Sequence, residues 1–255
     1  MATVKSAYGP PSRARAAQDR AKSERKRPKA APTSRRRPPA APPAPLSRER
    51  IVAAALEVIA ETGLAAFSMR KLGERLGREA MSLYHHFPSK QHLLDALVEL
   101  AIASVEVPEP GPDPEAQLRQ CMYSYRAMAR RWPALFPLVA VHRLNTPTGV
   151  RYIESILRLV RAVDPDPEHA ARTFRALGYY LVGAGLEETA GYARGPSAAE
   201  PVSEGFIARE CPLLIESAPF FQAPHWDATF DLGVDFLTEG ARRDVGRRGV
   251  KRSTD

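Results

Sequence analysis

One short stretch of the 255-residue chain combines basic, hydroxyl and imidazole side chains at helical spacing, and it runs from Ser68 to Lys90. Leu72, Leu76 and Leu83 are spaced to hold two short helices together, and Gly77 is placed for a tight turn between them. In a helix-turn-helix, the second helix lies in the major groove while the first crosses the DNA backbone. The chemistry that this pattern predicts is therefore hydrogen bonding to base edges and phosphates.

The polar and small residues between the leucines are free to face outward and form a predicted surface for double-stranded DNA. Arg70 and Lys71 lie in the early turns of the first helix, where they can reach phosphate. Ala80 and Ser82 are small enough to let the second helix approach closely and touch a thymine methyl. The candidates from this pattern are Arg70, Lys71, Arg78, Ala80, Met81, Ser82, Tyr84, His85 and His86.

Two other interpretations of the same stretch are weaker. His85, His86 and His92 suggest a metal site, but adjacent helical side chains point about 100° apart, and no carboxylate accompanies them at ligand spacing. The stretch could also be ordinary helical core, although Tyr84 and two histidines are hard to bury together. We predict neither a metal nor a cofactor.

Helices must position these residues, and the whole chain is predicted to be all-α. It has no alternating period-2 run and no hairpin dipeptide such as Asn-Gly. Serine caps and acidic or proline-bearing first turns mark the helix starts. The predicted helices, with their capping residues, span Ser47 to Gly63, Ser68 to Gly77, Glu79 to His86, Ser89 to Ala101, Asp113 to Trp132, Pro133 to Leu144, Thr148 to Val163, Asp166 to Tyr192, Glu204 to Ser217 and Trp226 to Arg242.

The formal net charge of +8 is unevenly distributed. Residues 1–46 hold twelve Lys and Arg against two acidic residues, a net of +10, so the other 209 residues carry −2. Nine prolines and few apolar residues predict that this basic tail is disordered. Three roles remain open for it: a solubilising extension, an arginine arm in the minor groove, or a non-specific tether. Residues 244–255 form a second basic tail.

Composition also excludes several classes of protein. No run of about 18 apolar residues predicts a membrane span, and the N-terminus lacks the apolar segment of a secretory signal. Cys121 and Cys211 are too few for a disulfide framework and are expected to be reduced thiols in a cytoplasmic protein. No nucleophile elbow, P-loop, dinucleotide-binding motif or zincin motif is present, so we predict that the protein is not an enzyme.

The segment LSRERIVAAALEVIAETGLAAFSMRKLGERLGREAMSLYHHFPSKQHLLDALVE, from Leu46 to Glu99, resembles the DNA-binding domain of TetR-family transcriptional regulators. The resemblance is carried by ETG at a helix end, RKL, LG at the turn, SLYHHF on the recognition helix, and SK followed by LLDAL. It implies a homodimeric regulator, usually a repressor, that leaves a palindromic operator when a small molecule binds. It also implies that Tyr84 and Lys90 contact phosphates, whereas Met81 departs from the small or polar residue of many members.

The resemblance implies that the chain after the basic N-terminal tail is divided into two domains. Residues 47–105 form the DNA-binding domain, and residues 113–243 form an all-helical domain for effector binding and dimerisation. Two stripes with small residues are expected to pair with their copies in a second subunit, and ordinary packing within the chain is the alternative. These residues are Gly178, Leu181, Gly185, Phe230, Gly233, Val234, Leu237 and Ala241.

The candidate effector pocket combines apolar walls with a few polar groups, which is typical of ligand cavities. Its residues are Cys121, Tyr125, Met128, Trp132, Phe136, His142, Phe174 and Tyr179, although any of them could simply belong to the core. We predict a mostly apolar or aromatic effector. The competing functions are a protein that compacts nucleic acid without sequence preference and a TetR-like activator that does not respond to a ligand.

Overall fold

The computed structural model describes residues 45–190 and 198–252, with side chains described as far as residue 242. This part of the chain contains α-helices and two 3₁₀ turns, Ala218–Phe221 and Ala223–His225, and no strand, in agreement with the all-α prediction. The helices are α1 Arg48–Thr62, α2 Met69–Leu76, α3 Ala80–Tyr84, α4 Lys90–Ala103, α5 Pro114–Arg131, α6 Phe136–Val141, α7 Pro147–Val163, α8 Pro167–Ala190, α9 Glu204–Glu210, α10 Pro212–Ser217 and α11 Trp226–Arg252.

The helix starts that the sequence predicts are confirmed by cap hydrogen bonds. The hydroxyls of Ser47, Ser68 and Ser89 each accept a backbone N–H three residues later, at the beginnings of α1, α2 and α4. The carboxylate of Asp113 does the same for α5, with Pro114 at the first position. Each cap satisfies one of the N–H groups that a helix start leaves without an intrahelical partner.

The structure differs from the prediction at four helices. The helix predicted for residues 133–144 covers only Phe136–Val141, six residues. The helix predicted for residues 204–217 is two helices, because Pro212 has no N–H with which to continue α9. The recognition helix α3 is shorter than predicted, at five residues. The last helix continues to Arg252 because no proline or cap ends it at residue 242, where the basic tail was expected. The prediction of disorder concerns residues 1–46, of which 1–44 lie outside the described residues.

Two apolar clusters form the core. One joins α1, α2, α3 and α4, where Phe87, Leu72 and Leu83 are fully buried, and it continues into α5 and α6 through Tyr125 and Phe136. The other lies among α5, α7, α8 and α11. Because the first cluster runs from the helix-turn-helix into the C-terminal domain, α4 is packed against both.

Candidate DNA-binding surface and ligand cavity

The turn between α2 and α3 is set by two glycines. Gly77 adopts a left-handed conformation, with φ 63° and ψ 36°, which glycine tolerates without strain. Gly73 is buried in α2, and a Cβ at this position would lie 2.7 Å from the backbone oxygen of Arg78. Since that neighbour is backbone, the close approach of α2 to the start of α3 requires glycine. Leu72 and Leu83 are buried below the turn and hold the pair to the core.

The outward face of α3 carries some of the residues that the sequence assigned to DNA contacts, whereas Ala80, also predicted to face outward, packs on the core. Met81 is 70% exposed, and Tyr84 and His85 are also exposed. The half-buried Ser82 donates its hydroxyl to the Glu79 carbonyl over 2.7 Å. Ala80 is half-buried and packs on the core, so it keeps the helix close to α2.

The basic candidates surround α3. Arg70 is exposed and forms an ion pair with Glu74, one turn later in α2. Lys71 and Arg78 are half-buried. Lys90 is exposed, and its ammonium donates to the Phe67 carbonyl over 2.7 Å, which links α4 to the loop before α2.

Arg48 is a residue of this region that the sequence analysis did not select. Its guanidinium lies 4.1 Å from the centre of the Phe87 ring and donates to the backbone carbonyl of the half-buried His86. The contact ties the start of α1 to the segment after α3. Its only signal in the sequence is its place directly after the Ser47 cap.

A cavity of about 290 Å³ lies among α5, α6, α7 and α8. Four of the predicted pocket residues line it, namely Cys121, Tyr125, His142 and Phe174. Gly178 and Leu181, assigned from sequence to a subunit interface, also line this cavity. Tyr152, Ile156 and Arg175 complete much of the wall and were missed. The first two lie on α7, which offers only an ordinary apolar helical pattern, and Arg175 lies on α8.

The other four predicted pocket residues lie elsewhere. Met128 and Phe136 are buried in the first core cluster, and Trp132 is half-buried against it. The Phe136 ring fills the space beside Gly185, where a Cβ would lie 2.5 Å from the ring. Tyr179 is 67% exposed and stacks with Arg175, so it faces away from the cavity.

The cavity wall is mostly apolar and uncharged. Burial raises the pKa of the Cys121 thiol and of the Tyr125 phenol, each to about 12. Burial also raises the pKa of Tyr152 well above its usual value. These groups are therefore neutral at pH 7 and offer polar contacts without charge, while Arg175 supplies a cation at the wall.

His142 connects this cavity to α4. Its Nε2 lies 3.0 Å from the Oδ1 of Asp95 on α4, and its Nδ1 is buried without a hydrogen-bond partner among the described residues. Burial raises the pKa of Asp95, but hydrogen bonds from His142 and Gln91 outweigh burial and leave this pKa below its usual range. This hydrogen bond therefore joins the cavity wall to α4, the helix that follows α3.

Comparison with known protein families decides what this arrangement belongs to. Residues 51–97 match the model of the bacterial regulatory proteins of the tetR family, and residues 107–244 match the model of the tetracyclin repressor-like C-terminal domain. The chain belongs to the TetR family. Proteins of this family are DNA-binding, ligand-responsive transcriptional regulators that act as dimers, and the chain is a regulator of this kind rather than a member of an enzyme family.

Individual TetR-family proteins are similar over most of their length. The class A tetracycline repressor from transposon 1721 of Escherichia coli is 30% identical over 220 residues, covering 81% of this chain and 95% of that protein. ActR of Streptomyces coelicolor, solved in complex with actinorhodin, has a TM-score of 0.63 at 28% identity and covers 80% and 100% of the two chains. A TetR variant from Acinetobacter baumannii AYE, solved with minocycline, has a TM-score of 0.58 at 29% identity and covers 78% and 98%.

The predicted TetR dimer stripes pack within the chain. Phe230 and Val234 of α11 are buried, and Leu237 is half-buried, in the second core cluster. A Cβ at Gly233 would overlap the Tyr180 ring. Ala241 is half-buried and lies beside Leu237 in a cleft between α8 and α11. Packing within the chain was the alternative that the sequence left open for these residues.

Among residues 45–190 and 198–242, no group of three or more His, Cys, Asp and Glu side chains is placed to hold a metal ion. In the same part of this TetR-family chain, no helix combines the length and the apolar character that crossing a bilayer requires.

Proposed function

We propose that this regulator is a repressor that binds a palindromic operator as a homodimer in the bacterial cytoplasm. It would release the operator when a largely apolar or aromatic effector enters the cavity of about 290 Å³. The observation that carries this proposal is the His142–Asp95 hydrogen bond, because it joins the cavity wall to α4.

On the DNA side, α3 would read bases while its neighbours hold the backbone. The exposure of Met81 and His85 supports base-edge contacts, with Met81 making an apolar contact in the major groove. Arg70, Lys71, Tyr84 and Lys90 would contact phosphates, and Arg78, Ala80, Ser82 and His86 would complete the surface.

On the effector side, the mostly apolar cavity wall, with Arg175 as its charged residue, favours a ring-bearing ligand with few charges. Phe174, Tyr125 and Tyr152 supply aromatic surface, and the Tyr hydroxyls supply hydrogen bonds. The complexes of ActR with actinorhodin and of the TetR variant with minocycline support a ring-bearing small molecule as the effector.

Release would follow from the chemistry of the His142 ring. A neutral imidazole carries one proton, so it donates from only one of its two nitrogens. An effector oxygen that accepts from Nδ1 holds the proton there, and Nε2 then no longer donates to Asp95. Loss of this hydrogen bond would free α4, and with it the recognition helix, to move away from the operator geometry.

The dimer would form on the faces of α8 and α11 that the chain itself leaves uncovered. Tyr179 on α8, and Leu232 and Phe236 on α11, are exposed apolar side chains on these two helices. Packing α8 and α11 against their copies would bury these side chains in a four-helix interface. The proposal therefore keeps α8 and α11 as the dimer helices but places the interface on other faces of these helices than the sequence predicted.

The proposal is tested by selecting bound DNA from a random pool and then titrating the selected complex with actinorhodin and with minocycline. We expect a palindrome, and release by a ring-bearing ligand. Asp95→Ala removes this hydrogen bond without any ligand, so it should bind the selected DNA more weakly than the native chain and lose most of the ligand-dependent change. Gln91→Ala is the matched control, because it removes the other hydrogen bond on Asp95, of 2.7 Å, and leaves the link to the cavity intact.

Other outcomes identify the competing functions. If the selected DNA shares no common sequence, the result would indicate a protein that compacts DNA non-specifically and would contradict the repressor function. A palindrome whose occupancy raises transcription of a reporter and does not respond to ligands would indicate an activator.

A further inference from the structure

A second cavity, of about 390 Å³, lies where the C-terminal end of α8 meets the start of α11. It shares no lining residue with the cavity beside His142. Aromatic rings make up most of its wall, and they come from three parts of the chain: Tyr180, Phe220, Phe221, Trp226 and Phe230.

The polar groups of these rings already donate hydrogen bonds to backbone carbonyls. The Tyr180 hydroxyl donates to the Phe230 carbonyl over 2.8 Å, and the Trp226 indole N–H donates to the Phe221 carbonyl over 3.1 Å. The wall therefore presents ring carbon, in a fixed arrangement, rather than free hydrogen-bond donors.

The charged groups of this cavity are carboxylates. Glu187 and Glu188 line it, and no Lys, Arg or His among the described residues does. Glu188 is 7% exposed and is bound by Arg126 and Arg130, which also pair with Asp227. Two guanidiniums thus balance two carboxylates, and among residues 45–190 and 198–242 the exposed Glu187 adds one further negative charge to the site.

Aromatic faces together with a carboxylate select for a cation. The face of an aromatic ring carries negative electrostatic potential and attracts ammonium-type groups within about 6 Å. The Phe230 ring already has the Arg126 guanidinium 4.3 Å from its centre, so an added cation would use the faces of the other four rings. An organic anion would meet these ring faces and Glu187 with the opposite sign. We propose that this cavity is a second ligand site, separate from the effector cavity, that binds a hydrophobic organic cation of the quaternary ammonium or phosphonium class.

The test compares two ions of the same shape and opposite charge, tetraphenylphosphonium and tetraphenylborate, by calorimetry on the full-length chain. We expect one phosphonium to bind per protomer, and Glu187→Gln to weaken this binding about threefold, the effect of losing one exposed charge pair. Phe220→Leu should also weaken it, because the ring is exposed and contributes contact rather than core packing. Binding of tetraphenylborate should not weaken in Glu187→Gln.

The matched control is Glu154→Gln, which removes an exposed carboxylate on α7 outside this cavity. It should leave phosphonium binding unchanged. Absence of phosphonium binding would overturn the proposal, as would equal losses in the two glutamate variants. A loss of phosphonium binding in Phe174→Leu would move the ligand to the effector cavity and also overturn it. None of these outcomes depends on operator binding or release, so the proposed repressor function is tested separately.

Discussion

Several of the side chains proposed to bind DNA on and beside α3 are exposed, whereas the central ion pair of the C-terminal domain is buried. On α3, Met81 is 70% exposed, and its neighbours Tyr84 and His85 also face outward. In the C-terminal domain, Arg126 and Glu188 are each 7% exposed and lie between α5, α8 and α11. The first region holds its side chains ready for another molecule, whereas the second satisfies its charges internally.

The two regions therefore depend on different physical features. The DNA surface depends on backbone placement, because a five-residue helix is positioned by the α2–α3 turn and by Leu83. The C-terminal domain depends on matched charges, because removing two ions from water is costly unless each finds partners. Arg126 has them: its guanidinium donates to Glu188 at 2.6 to 3.0 Å and to the Trp226 carbonyl at 3.0 Å.

The largest effect is expected from removing one side of this buried pair. Glu188→Ala leaves Arg126 buried without its main partner, which costs about 3–5 kcal/mol of stability. The free energy of unfolding, from urea titration at pH 7, measures this loss. The surface pair of Glu154 with Arg158 is the control, and Glu154→Ala should cost less than about 1 kcal/mol. Similar losses in the two variants would contradict the contrast between buried and exposed charge.

A change of one methyl group should disable the DNA surface without affecting the C-terminal domain. In Gly73→Ala the new Cβ meets the Arg78 oxygen and displaces α3 from α2. We expect operator affinity to fall at least about tenfold, as it does when base contacts lose their geometry. Gly205→Ala in α9 meets only ordinary contacts and should bind the operator normally. Normal binding by Gly73→Ala would show that α3 does not need this approach.

The same contrast explains what could be predicted from the sequence. The helix-turn-helix is specified by local signals: Ser47, Ser68 and Ser89 cap helices within three residues, and Gly77 turns the chain between two leucine-bearing helices. Such signals lie within one helix or turn, so the order of elements and the exposed face of α3 follow from them.

The C-terminal domain depends on pairings between distant positions. An apolar stripe such as Phe230 and Val234 has the same period whether it faces its own chain or a copy, and here it faces its own chain. The small size of Gly233 reflects the Tyr180 ring, which comes from another helix. Arg126 and Glu188 are 62 residues apart, and no local pattern marks them as partners.

Deletion of residues 1–37 tests whether the helix-turn-helix alone accounts for operator affinity. The deletion removes twelve basic and two acidic residues. If the three consecutive arginines at 35–37 contact phosphates in a minor-groove arm, the slope of log affinity against log salt should flatten by about 2.7, at 0.9 per phosphate. Fluorescence anisotropy at several salt concentrations measures this slope. An unchanged affinity and slope would leave the tail as a solubilising extension.

The smallest effect on stability is expected from Asp227, the exposed carboxylate that pairs with Arg126 and Arg130. A hydrogen bond from Arg130, with the positive charges of Arg126 and Arg130, lowers the pKa of Asp227 below its usual value of about 3.9. A carboxylate with a lowered pKa in the folded state stabilises the fold above its unfolded pKa, and this stabilisation is lost as pH falls through its folded pKa. The difference in urea midpoint between the native chain and Asp227→Asn should therefore be present at pH 6 and decline below about pH 4.

That decline also distinguishes the two ways in which Asp227 could act. If the aspartate stabilises α11 through its charge, the two chains converge in acid while operator binding at pH 7 is the same in both. A midpoint difference that stays constant from pH 6 to pH 2.5 would instead mean that Asp227 acts through hydrogen-bond geometry alone. The small size of the change follows from the exposure of this carboxylate, whose partner Arg130 is also partly in solvent. The buried Arg126–Glu188 pair would then be the part of this network whose stability depends on charge.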